Sequence, residues 1–314
     1  MAEHVLVTGG GGFIGSYLAA EHIAAGDEVH ILVRPRHQLR SERMLNGAVV
    51  HRVELSDAVA VEQCLKQVRP TILYHLATDT GRNARMSSSC EWPSLTGDLH
   101  NLLILLSAAS RIDRLRVLVR TGSLAEYGSA IGRQSEDARE EPRNSYTLAL
   151  TAGAHYVSAI QPQLHFPVLT ARLALTYGIG QSEAFLLPWL MRRCLNGEVS
   201  ELRSPDSMRD MLAVQDCVAG LRVLAASSLS GGTIVNLCTG RLLSVRAMAD
   251  IVAAATSTST TLIQYPADAR MPSQPDVVGG DPSRATELLG WTATTIFEEG
   301  VRCMVEQMRA QVAA

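Results

Sequence analysis

The chain has 314 residues, enough to bury a full hydrophobic core as one large domain or two smaller ones. Its formal net charge of −3 gives no basis for nucleic acid or an anionic membrane as a partner. Nine histidines without metal-ligand spacing and six scattered cysteines predict neither a metal site nor a disulfide framework. Buried thiols in a reducing compartment are the simpler interpretation of the cysteines.

Targeting and membrane-spanning signals are weak throughout the sequence. The first predicted strand begins at residue 4, which leaves no room for a signal peptide. The most apolar stretch, residues 102–109, is too short to span a bilayer. We therefore expect a soluble, cytoplasmic protein that does not act at a membrane.

Short apolar runs alternate with helical patterns through the first half of the chain. Strands are predicted at 4–8, 29–33, 48–53, 71–76, 115–120 and 168–173, and helices at 13–25, 57–68, 95–110 and 145–160. Such alternation is typical of a doubly wound parallel sheet with right-handed crossovers. The predicted fold class is therefore α/β, of the Rossmann type.

The first strand ends in a glycine-rich turn that opens the first helix. Gly9 permits a tight turn, Gly12 lets a pyrophosphate approach the backbone, and Gly15 lets the helix pack closely on the strand. The free N–H groups at the start of the helix then face the phosphates. We expect Phe13 and Ile14 to contact the dinucleotide with these glycines; a glycine turn without a ligand is the alternative.

The residues that follow the second strand indicate which dinucleotide binds. A carboxylate at this position would hydrogen-bond the adenosine ribose of NAD, but the chain has Arg34 and Arg36. Guanidinium groups suit a 2′-phosphate, so NADP is expected and NAD is the weaker candidate. Solvated surface arginines are the alternative. Glu54 and Leu55, after the third strand, are expected at the adenine edge.

The helix that contains residues 99–106 is apolar on more than one face. Such a helix is covered by the sheet on one side and by a second element on the other. The same helix of another subunit would provide that cover, so a homodimer is predicted. Burial within a single chain is the alternative.

The pattern changes after residue 175, where prolines and loops become more frequent. Helices are predicted at 184–196, 214–227, 244–256 and 295–312, separated by short strands. This pattern indicates a smaller, mixed α/β lobe over the carboxyl edge of the sheet, where open α/β sheets bind ligands. The predicted domains are a dinucleotide-binding domain of residues 1–175 and 212–240 and a substrate lobe of residues 176–211 and 241–314.

Eight motifs in order make the chain resemble the extended short-chain dehydrogenase/reductases that act on nucleotide sugars. They are T-G-G-G-G-F-I-G (8–15), Y-H-L-A (74–77), T-G-S-L-A-E-Y-G (121–128), S-Y (145–146), A-R-L-A-L-T-Y-G (171–178), R-D (209–210), N-L-C-T-G (236–240) and D-P-S-R-A-T-E-L-L-G-W (281–291). Each motif alone is weak, but their order and spacing together are specific.

This resemblance implies hydride transfer between C4 of nicotinamide and a sugar carbon. Tyr146 matches the family's catalytic tyrosine, which also lies at the cofactor, and Ser123 matches its hydroxyl partner. A phenol can donate a proton to a developing alkoxide while a second hydroxyl holds the oxygen. The alternatives are a helix-start aromatic packed on the core for Tyr146 and a strand-end cap for Ser123. The resemblance also places Leu76 and Ala77 at the cofactor and Thr78 at the substrate.

Three leucines depart from the family pattern. The family has a lysine four residues after the tyrosine, but this chain has Leu150, and Leu95 and Leu175 stand where asparagines are usual. Without a nearby cation the Tyr146 phenolate is less stable, so the side chain should be a poorer base that can still act as an acid. The loss of the lysine therefore favours reduction of a ketone over oxidation of an alcohol, or indicates that the protein has no catalytic activity. Thr151 is the nearest hydroxyl that could replace the lysine at the ribose.

The residues after Ser123 narrow the reaction. The family's 4,6-dehydratases have an Asp-Glu pair there, whereas this chain has Leu124 and Ala125, which cannot act as acid or base. Dehydration by that route is disfavoured. The form T-G-S-x-x-E-Y-G resembles the family's 4-keto-6-deoxysugar reductases.

Arginines are expected to hold the other end of a nucleotide-sugar substrate. Arg209 matches the family's arginine that contacts the diphosphate, and Arg270 matches a second one on a later loop. Tyr177 is expected to shape the pocket. The alternative for Arg209 is a surface ion pair with Asp206 or Asp210.

The combined interpretation is an NADPH-dependent reductase of a nucleotide-linked 4-keto-6-deoxy sugar. One alternative is an epimerase with tightly held NAD, which Arg34 disfavours. Another is a dinucleotide-binding module that has lost its catalysis, which the three leucines favour.

Overall fold

The computed structural model describes residues 2–39, 42–78, 93–128, 132–266 and 276–313. The strands and helices up to residue 173 are β1 (His4–Thr8), α1 (Phe13–Ala24), β2 (Glu28–Val33), β3 (Val49–Arg52), α2 (Ala58–Val68), β4 (Ile72–His75), α3 (Pro93–Ala109), β5 (Val117–Ser123), α4 (Ser145–Ile160) and β6 (Val168–Leu173). Each lies within a few residues of a predicted element.

The later part of the chain has shorter strands between its helices. Its elements are β7 (Leu175–Tyr177), α5 (Leu186–Leu195), β8 (Ser200–Glu201), β9 (Met208–Ala213), α6 (Val214–Ala226), β10 (Ile234–Leu237), β11 (Leu242–Ser244), α7 (Val245–Thr256), β12 (Ile263–Gln264), β13 (Val277–Val278), α8 (Ser283–Leu289) and α9 (Phe297–Ala313).

A seven-stranded sheet in the order β10-β6-β5-β4-β1-β2-β3 forms the centre of the molecule. Every neighbouring pair in it is parallel. This confirms the predicted doubly wound α/β sheet. The strand order reverses between β1 and β4, and Thr8 at the carboxyl end of β1 is paired with His75 of β4 and Leu32 of β2. Ligands bind at such a reversal in open α/β sheets.

Both faces of the sheet are covered by apolar packing, which explains the continuous apolar runs in its strands. In β1, Val5 and Val7 pack into one core and Leu6 packs into the other. The apolar helix α3 covers the second face, and Leu102, Leu105 and Leu106 are buried there within the chain itself. None of the described helices is long and apolar enough to cross a membrane.

A second, smaller sheet supports the remaining lobe. Strands β11 and β13 flank β9, which also pairs with β7. A separate core lies among α5, α7 and α9 on this sheet. Ala285 and Trp291, which the predicted boundaries assign to the smaller lobe, instead pack in a core beside the large sheet.

Candidate active site

The glycine-rich turn after β1 has the close backbone contacts that its sequence predicts. Gly9 has a φ of +73°, and a Cβ there would lie 2.9 Å from the backbone nitrogen of Ala77. A Cβ on Gly15 would lie 2.8 Å from the Cα of Gly10. Only glycine fits at these two positions, because the turn lies against the chain after β4 and α1 packs on the turn itself.

The start of α1 is open to an anion. Gly12 is the residue before the helix, and among the residues that the structure describes no side chain accepts a hydrogen bond from the first-turn amides. Phe13 and Ile14 are half-buried in that first turn. Unpaired amides and the positive end of the helix dipole together bind phosphate, so the turn fits the pyrophosphate of a dinucleotide.

Arg34, Arg36 and Glu54 line one open pocket of about 910 Å³ beside this turn. Both arginines are exposed. Leu55 does not share the pocket, because it is buried in the core on the α2 side of the sheet. The pocket therefore joins two cationic side chains and one carboxylate at the ends of β2 and β3.

The loop that carries these arginines is fixed by two residues that the sequence reasoning did not identify. Arg52, the last residue of β3, donates from Nη1 to the carbonyls of Pro35 and His37, each at 3.0 Å. The His37 ring nitrogen Nε2 lies 3.1 Å from the carbonyl oxygen of Gly11. The loop is thus held between the end of β3 and the glycine-rich turn.

Ser123 ends β5 at the carboxyl edge of the sheet and is half-buried. Its Oγ accepts a hydrogen bond from the Ala125 amide at 3.2 Å, and its own amide donates to Glu126 Oε1 at 2.7 Å. Ser123 therefore caps the turn that follows β5, as the alternative interpretation stated, and it uses an oxygen lone pair to do so. The hydroxyl hydrogen takes no part in that bond, so the side chain can still donate to a substrate oxygen.

Tyr146 is the second residue of α4 and is half-buried. Asn144 caps this helix by accepting a hydrogen bond from the Thr147 amide at 2.9 Å. The helix packs against β5 and against the turn at 124–127 that follows Ser123. The cap fixes the start of α4, and the packing holds the helix against β5 and the turn that follows it.

The residues after β4 lie at the same edge. The Leu76 amide donates to the carbonyl of Thr8 at 3.1 Å, and Leu76, Ala77 and Thr78 are half-buried. Leu76 and Ala77, which were predicted to contact the cofactor, therefore lie against the glycine-rich turn at the strand-order reversal.

The leucines that depart from the family pattern have different surroundings. Leu150 is buried, and its backbone carbonyl accepts a hydrogen bond from Arg120 Nη2 at 2.9 Å. Thr151 is also buried, and its hydroxyl oxygen has no partner among the described residues, which argues against a contact with a ribose. Leu175 is half-buried against the core of the smaller lobe. The Leu95 side chain lies outside the described part of the structure.

A buried charge network lies beneath the Ser123 turn. The Arg172 and Glu126 side chains are fully buried, with Arg172 Nε 3.2 Å from Glu126 Oε2 and Nη2 2.5 Å from Glu140 Oε1. The Arg172 guanidinium also lies over the Tyr127 ring, 4.6 Å from its centre. The sequence signal for this network is the charged Arg172 inside the otherwise apolar strand β6.

Asp210 and Arg209 are adjacent in β9 but have separate partners. Asp210 is buried and accepts hydrogen bonds from the Thr239 amide and hydroxyl and from the Gly240 amide, which ties β9 to the turn after β10. Arg209 Nη2 lies 2.6 Å from Asp276 Oδ2. The ion pair considered for Arg209 therefore exists with a different carboxylate.

The side chain of Tyr177, another predicted substrate residue, is not brought to the site. The Tyr177 ring packs against Phe297 with centres 5.2 Å apart, and its buried hydroxyl has no partner among the described residues. Burial raises the pKa of this phenol above its usual value. The side chain belongs to the core of the smaller lobe, which argues against the predicted substrate contact. Arg270 lies outside the described residues.

Comparisons with known proteins agree with this geometry. A sequence model of the family described as "GDP-mannose 4,6 dehydratase" matches residues 6–304. A GDP-6-deoxy-D-talose 4-dehydrogenase from Aggregatibacter actinomycetemcomitans is 25% identical over 97% of this chain and 96% of its own length. A GDP-6-deoxy-D-mannose reductase from Pseudomonas aeruginosa is 24% identical over 99% of both chains.

Solved structures share the whole architecture. The UDP-glucose 4-epimerase of Thermus thermophilus, solved with NAD, aligns with a TM-score of 0.83 at 27% identity, covering 97% of this chain and 98% of the epimerase. These matches extend over both lobes and not only the nucleotide-binding half. The chain belongs to the GDP-mannose 4,6 dehydratase family, within the extended short-chain dehydrogenase/reductases that modify nucleotide sugars.

Proposed function

We propose that this protein reduces the 4-keto group of a nucleotide-linked 4-keto-6-deoxy sugar with NADPH. The observation that carries the proposal is the turn after Ser123, where Leu124 is buried and Ala125 is the next residue. Dehydration requires an acid and a base at these two positions, and neither side chain can act as one. Hydroxyl groups alone suit a carbonyl reduction, in which a proton has to be delivered to oxygen.

The described side chains support this reaction by acting on the carbonyl oxygen of the substrate. When bound, the nicotinamide supplies the hydride that reaches the carbonyl carbon. Ser123 donates a hydrogen bond to the carbonyl oxygen and stabilises the negative charge that develops there. Tyr146 transfers its phenol proton to this oxygen, which completes the alcohol, and the phenolate regains a proton from solvent.

The cofactor proposal rests on the pocket at the end of β2. Arg34 and Arg36 both face an open pocket, and the Arg52 guanidinium holds the backbone of their loop. A 2′-phosphate carries a strong negative charge and accepts several hydrogen bonds, so guanidinium groups bind it well. Glu54 lines the same pocket and would accept a hydrogen bond from the adenine amino group.

The substrate proposal rests on Arg209 and on the relatives. Arg209 is only 24% exposed, and its present anionic partner is the Asp276 carboxylate. A sugar-nucleotide diphosphate would replace that carboxylate, with Arg270 as a second contact. Two relatives are described by name as acting on GDP-linked 6-deoxy sugars, which supports the 6-deoxyhexose class.

A homodimer is part of the proposal. Leu148 and Tyr156, eight positions apart along α4, leave 42% and 41% of their surface exposed. Large apolar side chains on one helix stripe favour a protein contact, and α3 packs beside α4. Light scattering of the purified protein, compared with a Leu148→Glu variant, tests this association.

A reducing compartment is also proposed. Cys64, Cys194, Cys217 and Cys238 are buried free thiols. Thiols of this kind are typical of proteins that stay in the cytoplasm.

The experiment for the function uses purified protein with a panel of GDP-, dTDP- and UDP-linked 4-keto-6-deoxy sugars. NADPH oxidation is followed by absorbance, and the product is identified by NMR. We expect stoichiometric loss of NADPH and a 4-hydroxyl product with at least one substrate. Protein that arrives with bound NAD and interconverts sugars without consuming cofactor would be an epimerase. Protein that binds cofactor and consumes none across the panel would be a binding module.

A further inference from the structure

We propose that the buried guanidinium of Arg120 takes the electrostatic role of the family's lysine, which this chain lacks at position 150, and stabilises the Tyr146 phenolate. The inference rests on the proposed function, because it assigns Tyr146 as the proton donor. Arg120 is a positioning residue in this scheme, since it acts through Tyr146 and not on the substrate.

Arg120 lies directly beneath the segment where that lysine would stand. It belongs to β5, three residues before Ser123, and its Nη2 donates to the Leu150 carbonyl at 2.9 Å. Its Nη1 lies 3.4 Å from the Thr170 hydroxyl of β6. Because Leu150 is one helical turn after Tyr146, the cation lies against the next turn of α4, from which it acts electrostatically on the phenol.

The packing of α4 makes room for this guanidinium. A Cβ on Gly153 would lie 3.1 Å from Arg120 Nη2 and 2.9 Å from Leu102 Cδ2. A larger residue would push the guanidinium away from α4. Glycine inside a helix lowers helix stability by about 1 kcal/mol relative to alanine, so its presence here is explained by the close approach.

The charge of Arg120 is not neutralised by an ion pair. The side chain is buried, and no carboxylate lies within ion-pairing distance of it in the part of the chain that the structure describes. Its Nε is also buried without a hydrogen-bond partner among those residues. A buried cation without a counter-charge is destabilising, so any negative charge that forms nearby is strongly favoured.

Two buried charges act on Arg120 from a distance: the negative charge of Glu126 favours its charged form, and the positive charge of Arg172 disfavours it. Glu126, an acid that interacts with Arg120 at longer range, is already engaged by Arg172 Nε and by the Ser123 amide. Burial, with a contribution from Arg120, lowers the pKa of His75 to about 3, so the imidazole is neutral at pH 7. Burial also lowers the pKa of the Arg120 guanidinium, and this effect is opposed first by Glu126 and to a smaller extent by a Tyr146 phenolate. Such coupling is reciprocal.

Arg120 would supply only one of the lysine's two roles. Its head group lies in the interior between β5 and α4, so it can act on the phenol through a low-dielectric medium but cannot reach the cofactor ribose. The chain would therefore keep the charge that assists proton transfer and lose the direct contact with the ribose.

The test is a spectroscopic titration of the Tyr146 phenol, which needs no substrate. Tyrosinate absorbance is recorded against pH for the wild type and for Tyr146→Phe, and the difference isolates Tyr146 among seven tyrosines. We expect the wild-type midpoint below the ordinary value of about 10. Arg120→Met should raise the midpoint by about one pH unit or more, and Arg120→Lys should raise it less. Adding Leu150→Lys to Arg120→Met should lower it again.

A wild-type midpoint at or above the ordinary value overturns the proposal, and so does a midpoint that Arg120→Met leaves unchanged. Circular dichroism and thermal unfolding verify that each variant folds. Should Arg120→Met fail to fold, the wild-type midpoint alone decides the question. Because no turnover is measured, a protein that reduces none of the ketosugars would refute the proposed function without affecting this result.

Discussion

The guanidinium of Arg209 and the carboxylate of Asp276 form an ion pair at 2.6 Å, although the two residues are 67 positions apart. Arg209 Nη1 also donates to the Asp276 backbone carbonyl at 2.6 Å. The pair joins β9 to the residue that precedes β13. It gives the proposed diphosphate-binding arginine an internal anion that a substrate has to displace.

Removing that internal anion should strengthen diphosphate binding. Ion pairs at the protein surface contribute about 1 kcal/mol, and this pair is partly exposed, so Asp276→Asn should lower the Kd for GDP or UDP by about two- to fivefold. Isothermal titration calorimetry measures the change. Arg209→Gln is the matched variant and should weaken the same binding by about tenfold or more, because charge-assisted hydrogen bonds are lost. Weaker binding by Asp276→Asn would mean that the carboxylate only orders the arginine.

Loss of the Tyr146 hydroxyl should abolish reduction and leave cofactor binding intact. General acid catalysis contributes about 10²- to 10⁴-fold, so kcat of Tyr146→Phe should fall by at least about 100-fold. The Kd for NADPH, measured by fluorescence, should stay near the wild-type value. Tyr156→Phe, which alters an exposed phenol on the same helix, is the control and should be fully active. Wild-type turnover in Tyr146→Phe would remove this residue from the mechanism.

Neutralising Arg34 should change the choice of cofactor. Arg34→Gln should weaken NADPH binding by about tenfold, which is the loss of one charge-assisted phosphate contact, and should leave NADH binding unchanged. The ratio of the two Kd values is the measurement. Arg302→Gln, at a guanidinium that is 64% exposed on α9, controls for the loss of positive charge alone. Equal weakening for both cofactors would contradict a 2′-phosphate contact.

The buried pair of Arg172 and Glu126 should stabilise the fold strongly. Arg172→Met leaves Glu126 buried without its partner, and breaking a buried pair in this way costs about 3–5 kcal/mol of unfolding free energy. Urea denaturation monitored by circular dichroism measures it. The control is Arg192→Met, which breaks the exposed pair with Glu183 and should cost less than about 1 kcal/mol. Similar losses in both variants would contradict the role assigned to burial.

Acid should destabilise the protein through His75. Burial lowers the pKa of this imidazole to about 3, and its Nδ1 lies 2.8 Å from the Thr8 hydroxyl. Between pH 3 and the ordinary value of about 6.5, the unfolded chain binds a proton that the folded chain does not, so stability falls as the pH falls through this window.

The measurement that checks this prediction is the slope of the unfolding free energy against pH, compared between the wild type and histidine variants. His75→Gln should reduce that slope by up to about 1.4 kcal/mol per pH unit between pH 4 and 6, the equivalent of one proton. His155→Gln, at an imidazole that is 66% exposed, is the control for replacing a histidine at the surface. An unaltered slope in His75→Gln would show that other groups cause the acid sensitivity.

Local patterns predicted most of the larger sheet, and their errors have a tertiary cause. Strand β5 was predicted to end at residue 120 but continues to Ser123, because Thr121, Gly122 and Ser123 still pair with β6. The polar residues Thr121 and Ser123 indicated that the strand had ended, but pairing with β6 keeps them in an extended strand. The two-residue strands β8, β12 and β13 are too short for any periodicity to show.

The cofactor turn was predictable because each glycine answers a local constraint. Residues that act on the site but lie far from it in the sequence were not predictable in this way. Arg120 reaches the Leu150 carbonyl across 30 positions, and Arg52 reaches Pro35 across 17. Tyr177 is the last residue of β7, where a pocket residue would be expected, yet the packing of α9 buries it.

The amino-acid sequence by itself determined the order of the elements, the parallel sheet and the phosphate-binding turn, because apolar periodicity and glycine spacing act over a few neighbouring residues. Only the tertiary structure decided which buried charge meets which partner. The packing of α4 on β5 brings Arg120 to Leu150, and the pairing of β5 with β6 brings Arg172 to Glu126. Contacts between residues so far apart in the chain depend on the whole fold, which no short pattern contains.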